Sequence, residues 1–323
     1  MKATKYIVLL LLAVLLSAAS SYKKDDTATK PYLVGSVCTD FPAYIQKGVT
    51  VTAKAWGVSY PEDIVWKWYA SSMTADTLYC NPVTLRVPDS LGQFGVMIGA
   101  FSEGYYALTT TVLFNTIDTA GSETFHGPVE SAEKFKDDRD GSVYDIVSVG
   151  NLQWFAQNLS WDGAGVSYRN SKILDKFFGR FYTWEEARSA CPPNWRLPDN
   201  DDWCDLASAV SGRNLTFGDP DNWAGVGEKL TVQAFFINEQ MWEYWPGNEH
   251  TNTVGWNGIP MGHSLRNSDM FAQYGEYAYF WSASEASADK AYYRWIFKQS
   301  GTMPFASSNK NDLSLSVRCV RDR

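Results

Sequence analysis

Residues Gly179–Val210 read GRFYTWEEARSACPPNWRLPDNDDWCDLASAV, and the reading of the second half of the chain turns on them. Thr183 and Glu186 stand at the spacing of a capping box, in which each side chain satisfies a backbone N–H of the other's turn, so a helix is expected to begin at Trp184. Trp184, Ala187 and Cys191 fall on one helical face, and Pro192-Pro193 ends the run because proline removes a donor and clashes with the preceding turn. Asp199 or Asn200 can cap a second helix whose buried stripe is Trp203, Leu206, Ala207 and Val210. Upstream, Asp140-Gly141 is a hairpin-turn dipeptide and Val143–Val149 reads as a strand, so residues 135–323 are expected to form an α+β unit.

The landmarks around this stretch form an ordered series. They run through Asp138-Arg139-Asp140-Gly141, Tyr144, Gly150, Gln153-Trp154, Asn158-Leu159, Tyr182-Thr183-Trp184, Ala190-Cys191-Pro192, Trp195-Arg196-Leu197-Pro198 and Trp203. They end with Phe280-Trp281-Ser282 and Ser316-Val317-Arg318-Cys319-Val320. Over about 190 residues this resembles the Fibrobacter succinogenes major paralogous domain family. The resemblance implies an α+β fold similar to C-type lectins. It also implies a disulfide between Cys191 on the first helix and Cys319 in the last strand. Family members often carry Met-Ala-Glu-Asn where this chain has Phe155-Ala156-Gln157-Asn158, so a carboxylate is replaced by an amide.

Residues 32–118 have a different texture. Val49–Ala55 alternates with period two, and Ile64–Tyr69, Val83–Val87 and Ala107–Phe114 are further apolar runs separated by Gly and Pro. Such spacing is expected of an all-β sandwich of immunoglobulin type, similar to PKD-like surface modules, with Trp66 and Trp68 facing one core. Residues 119–134, rich in Thr, Ser, Gly and Glu, read as a linker. At the start, Lys2 and Lys5, the apolar run Ile7–Leu16 and small residues to Ser20 form a signal peptide over residues 1–20, followed by a polar tether over 21–31. The layout resembles a Bacteroidetes lipoprotein leader, yet no Cys lies between Met1 and Val37 to take the lipid. Export to the cell envelope is the expectation, with membrane contact only through a lipid anchor. Cys38 and Cys80 do not match the immunoglobulin inter-sheet pair, and Cys204 is the expected free thiol.

Composition narrows the function. With 28 Lys+Arg against 36 Asp+Glu the net charge is −8, which excludes an electrostatic hold on nucleic acid. The C-type-lectin likeness invites a calcium-dependent sugar site, but neither a Glu-Pro-Asn nor a Trp-Asn-Asp triplet occurs; the nearest is Trp256-Asn257-Gly258. The Asp137–Gly141 run places Val147 where an EF-hand needs its last Glu. His126, His250 and His263 belong to no His-Glu-x-x-His pattern, no Gly-x-Ser-x-Gly elbow is present, and Cys204 alone supplies no reactive pair. No catalytic residue, metal or cofactor is therefore assigned.

What stands out is the 29-residue insertion Phe235–His263, FFINEQMWEYWPGNEHTNTVGWNGIPMGH. Trp242, Tyr244, Trp245 and Trp256 lie among Asn248, Glu249 and Asn257, a mixture suited to the C–H faces and hydroxyls of a sugar. Tyr244 and Trp256 are the expected exposed rings, while any single Trp here can equally anchor the loop's own core. The leading expectation is non-catalytic binding at the cell surface, with a glycan as ligand or else a surface protein. The alternative is an adhesive or structural subunit of a surface assembly, and a hydrolase is the third reading.

Overall fold

A computed structural model describes residues 29–74, 76–266, 268 and 270–323. The expected signal peptide and residues 21–28 of the expected tether lie outside the described residues.

The first part of the chain is built from strands alone: β1 Val34–Thr39, β2 Tyr44–Gln46, β3 Thr50–Ala53, β4 Ala55–Tyr60, β5 Val65–Tyr69, β6 Val83–Arg86, β7 Gly92–Phe101 and β8 Leu108–Ile117. Its main sheet has the order β2-β8-β7-β5, and the pairs β1-β4 and β3-β6 complete it. Alternation drives burial: Val83 and Leu85 of β6 point inward while Thr84 and Arg86 point out. Trp68 is fully buried, with its indole N–H donating to the Cys80 carbonyl at 2.9 Å, and Trp66 packs against the same core.

Residues 119–134, read above as a linker, carry β9 Phe125–His126 and β10 Glu133–Lys136. Beyond them come β11 Val143–Val149, β12 Leu152–Phe155, the short helix α1 Asp175–Phe178, α2 Trp184–Ala190, α3 Asn200–Ser211 and α4 Val226–Leu230. The chain continues with β13 Phe235–Phe236, β14 Glu239–Gln240, β15 His263–Leu265, β16 Phe271–Ala272, β17 Tyr277–Glu285, β18 Lys290–Phe297, β19 Phe305–Asn309, β20 Leu313–Ser314 and β21 Val320–Asp322.

Both expected helices form where their caps place them. Thr183 accepts from Glu186 N while Thr183 N donates to the Glu186 carboxylate at 2.8 Å, and Asp199 and Asp202 make the same reciprocal pair for α3. Gly212, at φ 70°, ends α3 in the left-handed conformation that only a residue without Cβ adopts freely.

The expected α+β, lectin-like architecture of the second half is nevertheless not what the chain builds. Among the described residues the structure is mostly β, with 40% in strands and 12% in helices, spread over many small sheets. The reason is length: among the described residues α3, at 12 residues, is the one helix longer than two turns. Short strands instead pair across long sequence distances, as in the sheet β10-β11-β12-β21 and the sheet β17-β18-β19. At β12 the chain is buried on both faces. Trp154 of β12 joins a core with Trp203, Leu206 and Phe280, and the next residue, Phe155, joins the opposite core with Trp184, Trp281 and Cys319.

The 119–134 stretch ties the two halves together. β9 pairs with β13, with Phe125 opposite Phe236 and His126 opposite Phe235. At Gly127, φ 114°, a Cβ would lie 2.4 Å from the Gln233 carbonyl, so only glycine permits this approach. From the N-terminal half, Tyr44 N donates to Ser171 Oγ at 2.8 Å and the Tyr44 ring meets Phe236 edge-on at 5.2 Å.

Cys191 and Cys319 form a disulfide with Cα atoms 5.8 Å apart, closing a loop of 128 residues. Cys38, Cys80 and Cys204 are free. Replacing both bridged cysteines with Ser should lower unfolding free energy by about 2–5 kcal/mol, because an open loop of this length regains much of its entropy. Urea unfolding of the oxidised protein and the variant checks this; equal midpoints would show that the bond contributes nothing.

Candidate functional site

The structure divides the insertion 235–263 into an internal base and an external tip. Trp242 is fully buried and stacks on the His250 ring at 4.7 Å and 16°. Trp256 is also fully buried, between Phe280 at 4.9 Å, Trp203 at 6.1 Å and Trp154 at 6.2 Å. The expectation that Trp256 is an exposed ring is overturned, because it fills the core between β12, α3 and β17. Asn257 is buried as well: its Oδ1 accepts from Val129 N at 2.9 Å and its Nδ2 donates to Val129 O at 2.8 Å, so it clamps the 119–134 stretch. Its side chain faces no solvent and is occupied with backbone.

Four of the anticipated residues remain together at the tip. Tyr244 is 78% exposed and Trp245 43% exposed, Glu249 is exposed, and Asn248 is half-buried. The tip is braced from below. Glu243 N donates to Gly275 O at 2.9 Å, Asn248 Nδ2 donates to Lys298 O at 2.8 Å, and the Lys298 ammonium contacts the carboxylates of Glu243 and Glu276. These two hydrogen bonds to carboxylates hold the Lys298 ammonium above its usual range. At the base of the loop, His250 shares a hydrogen bond with Thr231 Oγ1 through Nδ1 at 2.9 Å, and burial pushes its imidazole down to about 4.

Next to the tip lies an aromatic surface that the sequence reading did not single out. On one face of β17 and β18, Tyr277 sits opposite Phe297 and Tyr279 opposite Trp295, all four half-buried, while the next pair, Trp281 and Tyr293, turns into the core with Trp184 and Cys319. Period-two alternation in YAYFW and YRWIF was the available signal. Tyr277 stacks on Phe297 at 4.4 Å and on Tyr279 at 5.3 Å, so their faces cover one another, and the Tyr279 hydroxyl donates to Gln273 Oε1 at 2.7 Å.

A cleft of about 380 Å³ opens between residues 125–134, the strand β11 and residues 156–158. Its polar walls are engaged internally. Asp145 takes Lys134 Nζ at 2.6 Å and Gln157 Nε2 at 2.9 Å, while Gln157 Oε1 accepts from Asp145 N at 2.8 Å. The amide at position 157 can both give and take here, whereas a carboxylate would face that of Asp145. On the cleft floor lies Arg318, fully buried and without a carboxylate partner. Its Nε donates to Asn158 Oδ1 at 2.9 Å, and its terminal nitrogens donate to the carbonyls of Phe155, Trp256 and Asn257 at 3.1, 2.6 and 3.0 Å. The guanidinium also sits 4.0 Å above the Trp256 ring, and burial lowers its proton affinity well below the usual arginine range. The Asp145, Lys134, Gln157 and Arg318 side chains thus hold the structure together. Among the described residues no three His, Cys, Asp or Glu side chains are grouped to hold a metal ion.

Two measurements test this description. Arg318→Lys keeps the charge but cannot reach four acceptors, so unfolding free energy should fall by about 2–4 kcal/mol; an unchanged urea midpoint would refute the role. For His250, the unfolded imidazole takes a proton near pH 6.5 whereas the folded one takes it near 4. The unfolded state therefore binds more protons between these values. Stability should fall by at most about 3 kcal/mol as pH drops through this window, and level off below it. His250→Gln should remove that component, and identical pH profiles for the two proteins would contradict it.

Comparison with curated proteins gave no match. The model of the Fibrobacter succinogenes major domain matches residues 147–321, from β11 through the disulfide and Arg318 to β21. The chain belongs to the Fibrobacter succinogenes major domain family.

Proposed function

We propose that this is an exported, envelope-associated binding protein without catalytic activity, and that its ligand is a glycan taken at the 244–249 tip. The observation that carries this reading is the pair Tyr244 and Trp245, which present their rings to solvent while Trp242 and Trp256 of the same insertion are buried. An exposed, braced aromatic pair offers faces for sugar C–H groups, and the exposed Glu249 stands beside it to meet hydroxyls. The carboxylates of Glu243, Glu249 and Glu276 surround the tip with Lys298 as the cation between two of them, so an uncharged saccharide suits it better than a uronate or sulfated one. Export is supported by the Cys191–Cys319 disulfide, since such bonds persist in oxidising compartments. Among the described residues no helix is long and apolar enough to cross a membrane.

A second reading, an adhesive subunit that binds protein, draws on the N-terminal half. Val34 lies opposite Tyr60 across the β1-β4 pair, and these residues and Trp56 are exposed. A stripe of this kind suits a protein partner.

Binding to xylan, glucomannan and dextran, with polygalacturonate as the anionic control, tests the first reading. Tyr244→Ala and Trp245→Ala should each weaken binding to the neutral polymers tenfold or more without changing the melting temperature. Failure to bind any of them, or full binding by both variants, would sink the site. Loss of binding in Trp56→Ala and Tyr60→Ala with an intact tip would favour the second reading.

A further inference from the structure

Between its anchors at Glu243 and Asn248 the tip has four residues, Tyr244-Trp245-Pro246-Gly247, and both anchors lead to the same place. At one end, the Glu243 carboxylate meets the Lys298 ammonium. At the other, Asn248 Nδ2 donates to the Lys298 carbonyl at 2.8 Å. Lys298 follows directly on β18, and its side chain is only 11% exposed although it carries a charge. It is held by the start of β17 as well: its Nζ lies 2.9 Å from Glu276 Oε1 and its backbone N donates to Glu276 O at 2.8 Å. The sheet thus extends a fixed cation into the base of the loop. Without that cation, Glu243 and Glu276 would be two carboxylates at one site, repelling each other and pushing the loop away from β17.

We propose that Lys298 is a positioning residue for ligand binding, which holds the two ends of the 244–247 tip together so that Tyr244 and Trp245 are presented in one fixed arrangement. The inference rests on the reading of the tip as a glycan site, but the mechanical part does not depend on it. A loop held in its binding shape before the ligand arrives loses less conformational freedom on association, so the clamp raises affinity without touching the ligand. The Glu243 N–H to Gly275 O bond, 2.9 Å long, lies inside the clamp and reports on it through amide exchange.

The test uses the full mature chain with Lys298→Met, Lys298→Arg and the double variant Tyr244→Ala/Lys298→Met. Hydrogen exchange is followed over the peptide 241–250, and binding is measured with xylan, glucomannan and dextran. Lys298→Met should speed exchange in that peptide at least tenfold, with the rest of the second half unchanged, and should weaken binding about tenfold. Lys298→Arg, which keeps the cation, should retain both properties. In the Tyr244→Ala background the Met substitution should weaken binding by a smaller factor than in the unmodified protein, because only Trp245 is left to position. Unchanged exchange in Lys298→Met overturns the clamp. Faster exchange with undiminished binding overturns its role in recognition. If the unmodified protein binds none of the three polymers, the glycan reading falls, and the clamp is then decided by exchange alone.

Discussion

The arrangement of the second half depends on one buried cation. Moving a guanidinium out of water is unfavourable by several kcal/mol unless its donors are met, and the Arg318 donors meet three carbonyls and one side-chain amide in place of a carboxylate. These acceptors come from two remote segments, 155–158 and 256–257, so neither can shift without leaving donors or acceptors unmatched. The neighbours of Arg318 extend the same knot. Cys319 carries the disulfide to α2, Val320 N exchanges backbone bonds with Arg196, and Val317 O accepts from Leu159 N. The four residues 317–320 near the end of the chain therefore fix strand, helix and loop together.

From that knot the constraint passes outward. Asn257 gives its carbonyl to Arg318 and its side chain to Val129, so the stretch between the halves is held to the same centre. Trp256 lies under the guanidinium, which commits the base of the long insertion to the core. Only the part of the insertion beyond this base is free to project, and there Tyr244 and Trp245 are exposed.

The abundance of tryptophan acquires a physical explanation here. Arg294, the second fully buried arginine, again lacks a carboxylate: it rests 3.4 Å from the Trp223 ring and donates to the carbonyls of Phe217 and Met303. Arg139 lies over Trp161, Arg321 over Trp195, and Arg188 and Lys310 both over Trp184. Indole faces attract cations through their quadrupole and at the same time bury large apolar area. Many of the tryptophans thus hold cations within the framework, and an aromatic-rich composition does not by itself indicate a ligand surface.

Features that rest on contacts a few residues apart were legible in the sequence alone. The capping box at Thr183/Glu186 is an i to i+3 interaction, the cap of the next helix lies at Asp199, one of the two residues expected there, and the Trp203-Leu206-Ala207-Val210 stripe is a period along one helix. The Cys191–Cys319 bond and the family followed from ordered landmarks. The balance of strand over helix did not follow, because the strands are short and their partners are remote: Trp154 pairs with Val320. Nor did the contrast between Trp245 and Trp256. Both stand among Asn, Gly and Glu in one loop, but only the tertiary structure brings Arg318, 62 residues away, over the second ring and leaves the first in water. Local bonds are written in neighbouring residues, whereas burial is decided by whatever the rest of the chain places on top.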